Sequence, residues 1–345
     1  MKTITGFLLA GSLMFGALSA TGAEELALQA NYAQNHVVMT QFLVPDADKI
    51  AAASNGELKI NIYGIGAVVP PNETVPGVQN NMVDMVAGLV TNNVAALYPI
   101  TGQLATMPGL GTSSVHAAKI YQKMYEEIPE VKAELDSVGK ILAIWSTPMT
   151  AISSVKCAIR SPKDLQGKKV LFFAPGDKQT IEAWGGVPVQ VNASDIYTGL
   201  QRGMGEAFLC PMPMQRGQGL QDVAKFLTIF PASNSLTCLV MNKDVFESLP
   251  AEQQKLITNT FNGNEYGLRV AAALDQDVKN AAKLFEDNGC QLIEPESLNA
   301  FSAPLRTEQL IESYWIPALK KNNLKGDIRE WIDRIYAFAA TVPAE

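Results

Sequence analysis

The side chains that most often act as metal ligands or nucleophiles are few and widely spaced in this chain. His36 and His116 are the only histidines, and they form no H-E-x-x-H pair that would bind zinc from one helix face. The sequence also lacks a G-x-S-x-G nucleophile turn and a G-x-x-x-x-G-K-[ST] phosphate loop. Carboxylates such as Glu73 and Glu206 are scattered. The sequence therefore predicts no enzyme, and no metal or cofactor site.

The cysteines form no C-x-x-C pair that would indicate zinc or redox chemistry. Four cysteines allow three disulfide pairings, and their spacing neither chooses among these nor excludes free thiols. Burial as small apolar side chains is the interpretation we favour for most of them. The four are Cys157, Cys210, Cys238 and Cys290.

Residues 1–23 have the features of a secretory signal peptide. Lys2 precedes an apolar stretch from Ile4 to Leu18, which is shorter than the roughly 20 residues that span a bilayer. Small residues at Thr21 and Ala23 suit cleavage after Ala23, and no cysteine lies nearby to carry a lipid. We therefore expect a free periplasmic protein.

The composition indicates a globular protein of more than one core. Cleavage leaves about 320 residues, more than one hydrophobic core usually serves, so we expect two lobes. Hydrophobic residues make up 47% of the chain and charged residues 18%. The net charge of −7, without a basic cluster, argues against nucleic acid or an anionic membrane surface as partner.

Strand-like and helix-like segments alternate along the mature chain, which is typical of an α/β protein. Residues 38–53 read as a helix and residues 58–62 as a half-buried strand. Residues 83–89, 170–173 and 187–191 read as further strands. From Pro250, apolar residues recur at helical spacing as far as Asn288. Such a helix would be about 55 Å long and bridge two lobes, unless Gly263 or Gly267 breaks it.

Three consecutive segments carry a family resemblance. Residues 161–170 read SPKDLQGKKV, residues 186–189 read GVPV, and residues 195–203 read DIYTGLQRG. Their order and spacing resemble the solute-binding proteins of tripartite ATP-independent periplasmic (TRAP) transporters. The segments NGELKI at 55–60 and LPAEQQ at 249–254 extend the likeness over essentially the whole mature chain.

The resemblance implies a two-lobed α/β periplasmic binding protein with crossing hinge strands, a long helix bridging both lobes and the ligand between them. We place the first lobe at 24–148 with 237–275, and the second at 149–236 with 276–345. The implied partners are a small organic ligand and integral membrane subunits of a TRAP-type transporter. A periplasmic sensor that serves a membrane receptor remains the alternative, as does binding of an organic acid through a non-standard donor.

The chain departs from the family pattern where the family contacts its ligand. The arginine that would follow Val170 and pair with a substrate carboxylate is replaced by Leu171, and residues 145–151 contain no second cation. The family's asparagine falls at Cys210. We therefore expect an aromatic, neutral or weakly charged metabolite rather than a simple dicarboxylate.

The expected ligand contacts follow the ends of predicted strands, where open α/β lobes bind ligands. They are drawn from both lobes and from the hinge between them. The set is Asn31, Tyr32, Gln34, Glu73, Asn92, Asn93, Trp145, Leu171, Phe173 and Cys210.

Overall fold

The computed structural model describes residues 23–344 except 92–94, 96, 105–106, 173–176 and 233. Residues 1–22 of the expected signal peptide thus lie outside the described residues. Within the described part, the chain forms two mixed sheets with helices on their faces. None of the helices there has both the length and the apolar run that crossing a membrane requires.

The strands occupy short segments spread over the described chain. They are β1 Glu24–Ala30, β2 Leu58–Tyr63, β3 Met85–Val90, β4 Lys140–Ser146, β5 Thr150–Ser154, β6 Lys169–Phe172, β7 Val187–Gln190, β8 Ala207–Pro211, β9 Phe226–Phe230, β10 Leu236–Met241 and β11 Gln291–Ile293. The first sheet has the order β2, β1, β3, β10, β4, and the second has the order β11, β9, β5, β8, β6, β7.

The helices vary from single turns to one long element. They are α1 Val44–Ala53, α2 Thr74–Gln79, α3 Pro99–Gly102, α4 Ser114–Glu127, α5 Pro129–Asp136, α6 Asp177–Ala183, α7 Ile196–Gln201, α8 Met212–Gly217, α9 Lys243–Ser248, α10 Ala251–Thr260, α11 Asn264–Asp287, α12 Glu308–Leu310, α13 Ile316–Lys321 and α14 Ile328–Ala339. A π-helical turn at Met39–Leu43 leads into α1, so the helix expected over 38–53 is present.

Alternation along the strands gives each sheet an apolar core on both faces. In the first sheet, Val86 belongs to one cluster and its neighbour Ala87 to the other. In the second sheet, Val170 and Leu171 divide in the same way between two further clusters. The two sheets with their covering helices are the first and second lobes.

Helix α11 belongs to both lobes. Its amino-terminal half buries Tyr266 and Leu274 in the first lobe, and its carboxyl-terminal half buries Val278 and Phe285 in the second. The bridging helix expected from the sequence is confirmed, but it begins later than a continuous pattern from Pro250 would place it. Gly263 has a φ of 64°, a region that favours glycine, and it separates α10 from α11.

The carboxyl-terminal segment lies on the first lobe, although the expected boundary assigned residues 276–345 to the second. Leu305 still packs in a second-lobe cluster. From Ile311 onward the buried residues, such as Ile332 and Ile335, share a cluster with Val86 of the first sheet. The chain therefore crosses between the lobes again near residues 306–310.

The first lobe holds α11 through close backbone contacts. The Asp275 carboxylate accepts hydrogen bonds from the amides of Ser114 and Val115, at 2.9 and 3.1 Å, and so caps the start of α4. The Gln122 side chain donates to the Ile144 carbonyl at 2.7 Å and to the Asn264 carbonyl at 3.1 Å. These bonds tie α11 to α4 and β4.

Gly267 is where α11 lies directly on β4. A Cβ atom at this position would overlap the carbonyl oxygen of Ile144 and crowd the Gln122 amide. We expect Gly267→Ala to lower the free energy of unfolding by about 3 kcal/mol or more, because backbone rather than a flexible side chain must move. Urea denaturation measures this change.

The matched control for this prediction is Ala272→Ser, at an exposed position of the same helix, which should change stability by less than about 0.5 kcal/mol. Equal stability of Gly267→Ala and wild type would contradict the close packing of α11 on β4.

Candidate functional site

We place the candidate ligand cleft at the carboxyl-terminal edges of the two sheets, where the chain links the lobes. Strands β1, β2 and β3 are parallel, and β10 runs against both β3 and β4. In the second sheet, β6, β7 and β8 are parallel and β5 runs against β8 and β9. The links from β4 to β5 and from β9 to β10 therefore join these edges. Open α/β sheets bind ligands at such edges.

An aromatic pair follows β1 on the first-lobe edge. The rings of Tyr32 and His36 stack with centroids 4.4 Å apart and an interplanar angle of 17°, and both residues are half-buried. The Tyr32 ring passes over Gly88, where a Cβ would come within 2.7 Å of it. Trp145 donates from its indole Nε1 to the Tyr32 hydroxyl at 3.1 Å. Burial raises the pKa of Tyr32, so the hydroxyl stays protonated.

Trp145 itself is 0% exposed and packs in the first-lobe core. Trp145 is among the expected ligand contacts, but in this structure its side chain offers no exposed surface to a ligand. Its indole supports Tyr32 from the core side, and Tyr32 and His36 are the partly exposed aromatic residues that follow β1.

The other first-lobe candidates are polar and more exposed. Asn31 donates from its side chain to the Gly88 carbonyl at 3.3 Å, which fixes the chain as it leaves β1. Gln34 and Glu73 are exposed. Three further candidates, Asn92, Asn93 and Phe173, lie outside the described residues.

The second-lobe candidates Leu171 and Cys210 are buried together. They are 0% and 1% exposed and belong to one core cluster. The Leu171 side chain packs against backbone, because a Cβ added at Gly205 would lie 2.6 Å from it. Burial, with a smaller contribution from the Asp177 charge, raises the pKa of the Cys210 thiol. All four cysteines of the chain are free thiols in the structure.

Sequence analysis did not identify an arginine that lies where the second lobe contacts the bridging helix α11. Arg216 of α8, in the second lobe, pairs with Asp277 of the bridging helix α11. The two guanidinium nitrogens donate to the two carboxylate oxygens at 2.6 and 3.1 Å. The side chains are 33% and 11% exposed, so the pair is partly shielded from solvent and firmly held.

Gln215 explains why Arg216 is fixed in place. Its buried side chain donates to the carbonyls of Ala151 and Cys210 at 2.6 and 3.1 Å, and it accepts from the Ser153 hydroxyl. These bonds anchor α8 to β5 and β8. The neighbouring Arg216 is therefore positioned by the sheet as well as by Asp277.

The charges of the Arg216–Asp277 pair act on His36 of the first lobe. Burial lowers the pKa of His36, while the charge of Asp277 raises it and that of Arg216 lowers it by smaller amounts.

Asp177 is an isolated carboxyl group in the second lobe. It is half-buried at the start of α6 and has no hydrogen bond or ion pair within the part of the chain that the structure describes. Burial raises its pKa to about 7. Its charge also contributes, after burial, to the raised pKa values of Cys210 and Tyr314.

One of these missed residues left a signal in the sequence. Asp277 falls on the apolar stripe of α11, three residues after Leu274 and directly before Val278, where a charge is unusual. Arg216 and Asp177 left none, because their neighbours come from distant segments. Within the described ranges, no group of three or more histidine, cysteine or acidic residues is placed to hold a metal ion.

The isolated Asp177 leads to a prediction about pH. Its pKa of about 7 in the folded protein exceeds the value of about 3.9 in an unfolded chain, so the folded state binds this proton more tightly. As far as this group is concerned, the protein therefore has its full stability below about pH 4 and loses part of it as the pH rises to about 7 and above, because the buried carboxyl group must then ionise. Asp177→Asn should therefore melt a few degrees higher than wild type at pH 8, with little difference at pH 4.

Differential scanning calorimetry at both pH values measures this, with the exposed Asp48→Asn as a control that should show no such gain. An Asp177→Asn variant no more stable than wild type at pH 8 would mean that the carboxyl group is not isolated.

Comparison with known proteins agrees with this architecture. The family model for bacterial extracellular solute-binding proteins, family 7 (DctP), matches residues 30–313. The 2,3-diketo-L-gulonate-binding periplasmic protein YiaO of Escherichia coli K12 is 24% identical over 312 residues, which cover 88% of this chain and 92% of that protein.

Solved structures show the same fold at low identity. A TRAP periplasmic solute-binding protein from Desulfovibrio salexigens has a TM-score of 0.78 at 17% identity, covering 94% of this chain and 98% of that one. A marine metagenome TRAP solute-binding protein, specific for aromatic acid ligands and bound to metahydroxyphenylacetate, has a TM-score of 0.75 at 20% identity, covering 92% and 99%. The protein thus belongs to family 7 of the bacterial extracellular solute-binding proteins, the periplasmic binding proteins of TRAP transporters.

Proposed function

We propose that this protein captures a small, ring-bearing monocarboxylic acid in the interlobe cleft and delivers it, unaltered, to the membrane subunits of a TRAP-type transporter. The observation that carries this proposal is Leu171, which is wholly buried in the second-lobe core. The strand position from which related proteins extend a carboxylate-binding arginine therefore carries no charge here.

A dicarboxylate would be poorly served by such a cleft. Two carboxylates that leave water each need charged donors, and a charge-assisted hydrogen bond contributes roughly 1.5 to 3 kcal/mol. The positive charge of Arg216, which pairs with the bridging helix, is already partly neutralised by Asp277. This balance suits one carboxylate better than two.

The aromatic pair favours a flat ligand. Tyr32 and His36 are stacked and half-buried at the cleft edge, and an aromatic ring can pack on or beside such a surface. Asp177 would accept a hydrogen bond from a hydroxyl group on that ring. A solved relative of the same fold is specific for aromatic acids, which is consistent with this assignment.

Ligand selectivity is the direct test of the proposal. Benzoate, 3-hydroxybenzoate and mandelate should raise the melting temperature of the purified protein, because a ligand that binds only the folded state stabilises it by about 4 kcal/mol at a thousand times Kd. Succinate and malate should have little effect. Differential scanning fluorimetry over this panel provides the measurement.

Two results would overturn the proposal: strong stabilisation by succinate or malate with none by the ring acids, or chemical conversion of a stabilising compound by the pure protein. Neutral polyols and small amines complete the panel as negative controls.

Capture between two lobes also predicts a change of shape. Contacts drawn from both edges can form together only when the lobes approach, so binding should proceed by hinge closure. Solution scattering should give a smaller radius of gyration with the stabilising ring acid than without ligand. Identical profiles at saturating ligand would contradict closure.

A further inference from the structure

We propose that Arg216 is the residue that binds the substrate carboxylate, with Asp277 as its positioning residue and His36 as the donor from the opposite lobe. The inference rests on the proposed function, because it identifies how a carboxylate is held in a cleft that lacks a cation at residue 171.

The donor count at Arg216 leaves room for a ligand. A guanidinium group has five N–H donors in a fixed fork. Two are used by Asp277, and the described residues supply no further hydrogen bond to the side chain. A third of the side chain is exposed, so the remaining donors are open to a ligand.

The two anchors of Arg216 make it a preorganised donor. Asp277 holds the fork from the bridging helix, and Gln215 ties α8 to the sheet. A long side chain that is already immobilised loses little rotamer freedom when it binds a ligand. Asp277 also offsets part of the positive charge, so the cation does not stand unpaired in the empty cleft.

His36 offers a complementary donor across the cleft. Its Nδ1 accepts a hydrogen bond from the Val38 amide at 3.2 Å, which leaves the proton of the neutral ring on Nε2. That Nε2 has no hydrogen-bond partner within the described ranges, and the charges of Asp277 and Arg216 act on the ring. In the proposed site, one carboxylate accepts from His36 of the first lobe and Arg216 of the second.

The key experiment compares a carboxylate with its amide. Benzoate and benzamide have the same ring and nearly the same shape, but only benzoate carries a charge. The double variant R216Q/D277N replaces the ion pair by two amides that can still bond to each other, so no buried charge is left unpaired. Isothermal titration of wild type and variant with both compounds gives the affinities.

We expect the variant to lose benzoate affinity by about tenfold or more, equivalent to about 1.4 kcal/mol, while benzamide affinity changes by less than about threefold. The matched control is E130Q/R334Q, which removes an exposed arginine–carboxylate pair of the first lobe. The control should bind both compounds as wild type does.

The remaining outcomes are decisive as well. If wild type binds succinate instead of benzoate and R216Q/D277N loses succinate, the ring preference is wrong but the role of Arg216 stands. If the variant keeps its carboxylate affinity within about threefold, or if wild type binds none of the carboxylates tested, the role of Arg216 is refuted. Circular dichroism of each variant verifies that it is folded.

Discussion

The attachment of one helix to both lobes determines how the cleft is built. Two carboxylates only two residues apart on α11 serve different lobes: Asp275 caps α4 in the first, and Asp277 holds Arg216 in the second. Between them the helix passes from one apolar core into the other. Because α11 also lies directly on β4 at Gly267, the first lobe fixes the position of α11. The second lobe is then positioned by its packing against the carboxyl-terminal half of that helix.

Two carboxyl groups of the second-lobe site avoid an unpaired charge in different ways, one by an ion pair and one by a raised pKa. Arg216 and Asp277 neutralise each other where solvent is partly excluded, which avoids the cost of an isolated buried ion. Asp177 has no such partner, and burial raises its pKa to about 7. The second lobe therefore carries one cation held by a carboxylate and one carboxyl group whose pKa burial has moved close to neutral pH.

The fold could be predicted from the sequence because its signals are local. The alternation in β2, the glycines that end α6, and the segments at 161–170 and 195–203 each report on their own neighbourhood. The site could be predicted less well. Leu171 and Trp145 lie at strand ends along the chain, but the direction of their side chains depends on packing partners far away in sequence.

The same limit applies at two further places. The apolar spacing continues through Gly263, where the sequence indicates only a possible break, and the structure has that break, with Gly263 at φ 64° between α10 and α11. The carboxyl-terminal helices have apolar faces that would fit either lobe, and only their contact with the first sheet decides between them. Arg216 left no signal at all, since its partner lies sixty-one positions further along the chain.

The return of the carboxyl-terminal segment to the first lobe has a mechanical consequence. The lobes are joined by the link from β4 to β5, the link from β9 to β10, helix α11 and the crossing near residues 306–310. Several connections side by side restrict twisting and sliding of one lobe on the other more than a single linker would. If the lobes close on a ligand as proposed, this restriction reduces the orientational entropy that closure costs.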